Sequence, residues 1–187
     1  MDRQVGIANV SGVGFPSRHG KSLIALSMYD KGVAFVAAAA LLGERGHGYV
    51  VRHLLCQGFE LLGKAFLLFR DYGKYRPLLQ KPIGHDLERL SDALAKEFDL
   101  PVSPRAFVDE LKQINGLYKN HLLRYGSAFD VLIDPSSIPC RRVFRRLRAA
   151  IRVAGPRLPP DVVKSATEFG MRPLEVARTK VDCGQDE

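Results

Sequence analysis

Apolar residues recur along this chain at helical spacing, in five stretches parted by glycines and prolines. From Ser22 to Leu42, the residues Leu26, Tyr29, Val33 and Val36 keep one side apolar. Alanines follow that allow close packing, and Gly43 and Gly46 end the stretch. From Gly48 to Asp71 almost every position is apolar, Leu54, Leu55, Phe59, Leu61, Leu62, Phe66, Leu67 and Leu68 among them. A helix with so little polar surface needs protein on most of its sides, which predicts that it is the centre of a bundle. Gly58 and Gly63 cost helix propensity and predict close neighbours at those points.

The segment Tyr72–Ile83, with Pro77 and Pro82, reads as a loop. Asp86 is a good N-cap for a third helix with Leu87, Leu90, Leu94 and Phe98 on one face. After Pro101 and Pro104, the stripe Phe107, Leu111, Ile114, Tyr118, His121 and Tyr125 predicts a fourth helix ending near Gly126. Phe129–Asp134 reads as a short strand or an extended strap. Residues 140–154 predict a fifth helix, with Val143, Phe144, Leu147, Ala150 and Ile151 on one side and arginines on the other. Pro156, Pro159 and Pro160 stop it, and Asp161–Phe169 reads as one more short helix.

The expected fold is therefore all-α, an antiparallel bundle of four to six helices. Residues 1–22 are expected as a flexible N-terminal segment, 23–126 as the bundle, 127–169 as an Arg-rich helix with a C-terminal extension, and 170–187 as a polar tail.

Composition adds limits. A chain of 187 residues with 46% hydrophobic content suits one domain plus tails. The longest unbroken apolar run, Val33–Leu42, is too short for a bilayer, so no transmembrane helix and no membrane partner are expected. The first fifteen residues lack a signal-peptide pattern, and a cytoplasmic location is expected. Cys56, Cys140 and Cys183 form no Cys-x-x-Cys pair, so neither a metal site nor a disulfide framework is expected. The net charge of +8 is concentrated: residues 141–157 hold seven arginines and no acid, which leaves +1 for everything else.

The candidate chemistry is sparse. Gly14 to Ser22 looks like a phosphate-binding loop, but it has five residues between its glycines instead of four, and Pro16 has no N–H to offer. On the Gly48–Asp71 helix, His53, Gln57, Glu60 and Lys64 fall within about 60° of one another on the helical wheel. That stripe is either a solvated edge or the lining of a polar cleft. His85 and Asp86 stand at a helix N-terminus, where anions are favoured. His121 falls on an apolar stripe, where a histidine is ordinarily a hydrogen-bonded core residue. The arginines carry no lysine among them, a composition that suits phosphate better than a solubility coat.

The phrases Gly58-Phe59-Glu60-Leu61-Leu62-Gly63-Lys64-Ala65, Gly84-His85-Asp86-Leu87 and Ile114-Asn115-Gly116-Leu117-Tyr118-Lys119-Asn120-His121, with Arg124-Tyr125, give the chain its likeness. Over residues 23–126 it resembles the HEPN domain, a helical module of bacterial defence and toxin systems. The resemblance implies a homodimer with a polar cleft that binds nucleotide or cleaves RNA without metal, using an Arg followed after four to six residues by a His. No arginine stands at that distance before any histidine here, and only Asn115 and His121 fill the motif region.

The expectation is thus a HEPN-like protein without the full ribonuclease motif. Glu60, Lys64, His85, Asn115 and Tyr118 are its cleft residues, and Arg141, Arg142, Arg145, Arg146, Arg148 and Arg152 hold RNA or nucleotide. Two alternatives stand beside it: a divergent metal-independent ribonuclease with His121 as its catalytic group, and a partner-binding subunit without nucleic acid. A homodimer and a cognate protein partner are expected; a cofactor and a bound metal are not.

Overall fold

The computed structural model describes residues 17–43, 46–124 and 131–154, without the side chains of His19, Arg148 and residues 151–154. The Gly14 loop-like stretch up to Pro16, Tyr125, the Asp161–Phe169 helix, the polar tail and the side chains of Arg148 and Arg152 lie outside the described residues.

Six α-helices are described: α1 (Arg18–Leu42), α2 (Gly48–Arg70), α3 (Tyr72–Gln80), α4 (Leu87–Glu97), α5 (Arg105–Lys119) and α6 (Arg141–Ala154). There is no strand among the described residues, and the fold is an all-α helical bundle. Helix α1 opens at Arg18, ahead of the expected Ser22, because the Ser17 hydroxyl accepts from the Gly20 N–H at 3.1 Å.

The two longest helices make the heart of the molecule. They run antiparallel, with Gly32 against Leu62 and Val36 against Gly58. A Cβ on Gly58 would sit 2.5 Å from Val36 Cγ2 and 3.2 Å from the Gly32 carbonyl oxygen, so this crossing requires glycine. Gly63 gives the same close access to Leu90 and Leu94 of α4. Ala25, Leu26, Tyr29, Val33, Val36 and Ala39 of α1 are buried in this contact. By length and composition alone, Gly20–Leu42 is a stretch that could cross a bilayer, which the unbroken apolar run had not suggested. Its inner side is covered by α2, while 39% of its most apolar window is buried and Ile24, Leu41 and Leu42 are exposed.

Three expectations are corrected. Tyr72–Ile83 is not a loop through most of its length: Asp71 caps α3 by accepting from the Lys74 N–H at 3.0 Å. Burial of Tyr75 and Leu79 outweighs the hydrogen bond lost at Pro77. The helix carrying Tyr118 ends at Lys119, not near Gly126, because Asn120 caps it and His121 takes a left-handed φ of 61°.

Finally, of Phe129–Asp134, Phe129 and Asp130 lie outside the described residues, Val131 and Leu132 are helical in place of the expected strand or strap, and only Ile133 and Asp134 are irregular chain. From Ile133 the chain becomes an irregular strap along α2. The Tyr49 hydroxyl donates to the Ile133 carbonyl, and Arg52 Nε donates to the Ile138 carbonyl at 2.8 Å.

The strap delivers α6 onto α5. Val143 and Leu147 are buried there, while Arg141, Arg142, Arg145 and Arg146 are exposed, the two-faced arrangement the sequence predicts. Glu110 of α5 is 3% exposed and accepts from the Val143 N–H at 2.8 Å, so one helix caps the start of another.

Candidate functional site

Glu60 lies in the middle of α2, where the apolar pattern puts protein on nearly every side. It is 5% exposed. An isolated carboxylate there would be expensive, and three donors meet it. Lys64, one turn on, donates from Nζ to Oε1 at 2.7 Å. Tyr118 of α5 donates its hydroxyl to Oε2 at 2.6 Å. His85, from the turn before α4, brings Nδ1 to 2.9 Å from Oε2 and 3.1 Å from Oε1. Burial works to raise the Glu60 pKa, but the hydrogen bonds from Lys64, Tyr118 and His85, with the Lys64 charge, reverse it and hold it below the ordinary carboxylate range. Burial and the Glu60 carboxylate push the Tyr118 hydroxyl pKa far upward, so it stays protonated and keeps donating.

An ionised carboxylate only accepts, so the His85 nitrogen facing Glu60 carries a proton. Nε2 is then the nitrogen free for outside chemistry. The His85 side chain is 53% exposed, so that atom is within reach of solvent.

The turn after α5 adds the other groups. His121 lies past the helix and is exposed, with its ring centroid 6.3 Å from that of His85. Its expected place on the apolar stripe is therefore corrected: the left-handed turn removes it from that face. This is an ordinary helix ending: the His121 N–H donates to the Tyr118 carbonyl and the Leu122 N–H to the Leu117 carbonyl, both at 3.0 Å. The same turn brings Arg124 back over α5, its guanidinium carbon 5.8 Å from the centre of the Tyr118 ring. His53 of α2 is another neighbour, its ring 5.9 Å from that of Tyr118. Burial and the Arg124 charge push its pKa down, which favours the neutral imidazole.

Asn115 is fully buried at 0% exposure. Its Oδ1 accepts from the Leu87 N–H at 2.8 Å; its Nδ2 donates to Asp86 Oδ1 at 3.1 Å and to Glu88 Oε1 at 2.8 Å. Asp86 also accepts from the Glu88 and Arg89 N–H groups, as the N-cap the sequence predicts. Burial tends to raise its pKa, but the bonds from the Arg89 N–H and Asn115, the Lys119 charge and the Glu88 N–H bring it below the ordinary value.

Glu60, Lys64, His85, Asn115, Tyr118 and His121 are thus brought into one neighbourhood, in two layers. At Glu60 and Lys64 the stripe on α2 neither faces water nor lines an open cleft, since both side chains are buried. They and Asn115 are spent on internal bonds and form a foundation. The exposed groups are His85, His121, Arg124 and Lys119.

The arginines of α6 stand apart from this cluster. Arg142 reaches Glu110 at 3.5 Å and Arg146 lies 5.0 Å over Phe107, about 12 Å and about 16 Å along α5 from Tyr118 at helical rise. Arg124, part of the likeness in sequence, is absent from the expected cleft residues. It sits off the apolar stripe, and only the turn at His121 brings it in.

Chemically, the upper layer offers two imidazoles 6.3 Å apart and a guanidinium over the neighbouring Tyr118 ring, side chains of the kind that move protons and bind anions. Among the described residues no three His, Cys, Asp or Glu side chains are grouped to hold a metal ion. Comparisons with protein-family models, with curated proteins and with solved structures each return no match.

Proposed function

We propose that the chain is a HEPN-like helical protein of a bacterial defence or toxin–antitoxin type system. It binds RNA or a nucleotide at the His85–His121–Arg124 surface, and the exposed arginines of α6 hold further phosphates. The observation that carries this reading is His85, anchored through Nδ1 at 2.9 Å on a buried carboxylate and facing a second exposed imidazole. Lys64 and Tyr118 satisfy the buried acid from within, while the third donor, the His85 ring, keeps a side chain 53% exposed. Arg141, Arg142, Arg145 and Arg146, all exposed, supply the electrostatic part.

The test is affinity for single-stranded RNA against salt. Binding falls with rising salt by about 0.7 logarithmic units per tenfold salt for each phosphate contact on a single strand. Exchanging those four arginines for glutamine reduces the slope by about 2 to 3 if each contacts a phosphate. Absent binding, or a slope indifferent to salt, refutes the proposal.

The 6.3 Å separation of the two rings favours a second reading on the same site, cleavage without metal. His85 Nε2 takes the proton of a ribose 2′-hydroxyl, whose oxygen attacks the adjacent phosphorus. The 5′-oxygen leaves with a proton from His121, giving a cyclic phosphate and a free 5′-hydroxyl. Incubation of the protein and of His121→Ala with mixed RNA in chelator tests this. Equal cleavage by both removes His121 from the reaction.

A further inference from the structure

We infer that Asn115 and Tyr118, one turn apart on α5, are positioning residues: together they clamp both members of the His85–Glu60 pair and set where the His85 ring points. The inference rests on the proposed site for its chemical consequence, though not for its geometry.

Each end of the pair is held by one of these two residues. Tyr118 holds the acid, because its hydroxyl binds Oε2, the same oxygen that His85 Nδ1 approaches most closely. Asn115 holds the imidazole side through the backbone. Its amide bonds the Leu87 N–H, the Asp86 carboxylate and the Glu88 carboxylate, the three residues that follow His85.

Asn115 shares in the helix cap only at the Leu87 N–H. Asp86 alone accepts from the Glu88 and Arg89 N–H groups at 3.1 and 3.2 Å. What Asn115 adds is a tether between the start of α4 and a fixed point on α5. On the other side of His85 the chain turns through Gly84 at φ 52°, closed by the Asp86 N–H on the Ile83 carbonyl at 2.9 Å. The imidazole therefore has a fixed backbone before it and after it, and a fixed carboxylate beneath it. Neither Asn115 nor the Tyr118 hydroxyl has a free hydrogen bond to give a ligand, so both act through His85.

The experiment is two-bond proton–nitrogen NMR of the histidine rings in the full chain, which reads the tautomer directly. In the unaltered protein the His85 signals are those of an Nδ1-protonated ring. Asn115→Asp is nearly isosteric; it keeps an oxygen for the Leu87 N–H but loses the donors to Asp86 and Glu88. Tyr118→Phe removes only the hydroxyl.

Each variant is expected to shift the His85 ring nitrogens toward a mixture of tautomers. Glu97→Gln, remote from the site, is expected to leave them unchanged. Should Asn115→Asp not fold, Tyr118→Phe decides alone. An unaltered His85 pattern in whichever of the two variants folds overturns the clamp. RNA affinity measured in parallel separates the claims: a shifted tautomer in a protein that never binds RNA keeps the clamp and ends the functional reading.

Discussion

Two carboxylates in this molecule have the same kinds of partner and different uses. Glu60 receives Lys64, His85 and Tyr118; Glu97 receives Arg70, Lys74 and Tyr75. Each is thus met by two basic side chains and a phenol. Glu97 sits at the C-terminal end of α4, where it fastens α2 and α3 through cations that remain mostly exposed. Glu60 sits inside, and its partners are sealed with it except for one imidazole that reaches the surface. The difference teaches that a donor set alone does not mark a site. What distinguishes Glu60 is a titratable ring, held from beneath and left open above.

The widest separation between the two clusters should appear when each acid is replaced by leucine. Glu60→Leu leaves the Lys64 ammonium buried without a counter-charge and the Tyr118 hydroxyl without an acceptor. Breaking a buried pair in this way costs roughly 3–5 kcal/mol. Glu97→Leu releases its cations to water and should cost far less. Urea denaturation of both variants measures the gap, and equal losses would erase the distinction. Adding Lys64→Met to Glu60→Leu should recover a large part of the deficit, because the stranded charge goes with it. No recovery would mean that the loss came from His85 and Tyr118 rather than from the buried ammonium.

Much of this contrast was legible in the sequence. The apolar period located the principal helices, the near absence of a polar face made α2 the centre, and Gly58 and Gly63 announced close neighbours that are Val36 and Leu90. The i,i+4 spacing put Glu60 and Lys64 on one stripe. What escaped depends on contacts between distant parts of the chain. Helix α3 survives Pro77 because Tyr75 and Leu79 are buried, which no local propensity reports. The turn at His121 depends on where α5 stops, so the approach of Arg124 was hidden as well. Asn115, expected in the cleft, is tied instead to three residues at the start of α4, contacts no local pattern reports. The Glu97 cluster also escaped, since its four members lie in two segments separated by more than one turn signal.

A smaller effect separates the two phenols. Tyr118→Phe removes a buried donor to an ionised acid, a bond class worth about 1.5–3 kcal/mol. Tyr75→Phe removes a donor from Glu97, where two cations and water remain at hand, and should cost less than Tyr118→Phe. Thermal denaturation orders the pair, and a larger loss at Tyr75 would invert the comparison.

The smallest effect is the most diagnostic of surroundings. The Lys74 and Tyr75 bonds hold the Glu97 pKa down to about 2 from the ordinary 4.5, while the Glu60 pKa is lowered by its bonds against the opposing pull of burial. A carboxylate whose folded pKa is depressed binds fewer protons when folded than when unfolded. Its contribution is complete above the unfolded value and is lost as pH falls toward the folded one. For Glu97 that window runs from pH 4.5 down to about 2. Both acids therefore steepen acid unfolding, and Glu97→Gln or Glu60→Gln should each flatten it. Salt tells them apart. Exposed charges are screened within about 10 Å at 0.1 M ionic strength, and buried pairs much less. Raising sodium chloride should shrink the difference between the unaltered protein and Glu97→Gln in the acid limb, and leave the difference from Glu60→Gln nearly intact. If salt collapses both differences alike, Glu60 is wetter than its place in α2 implies, and the buried foundation beneath His85 goes with it.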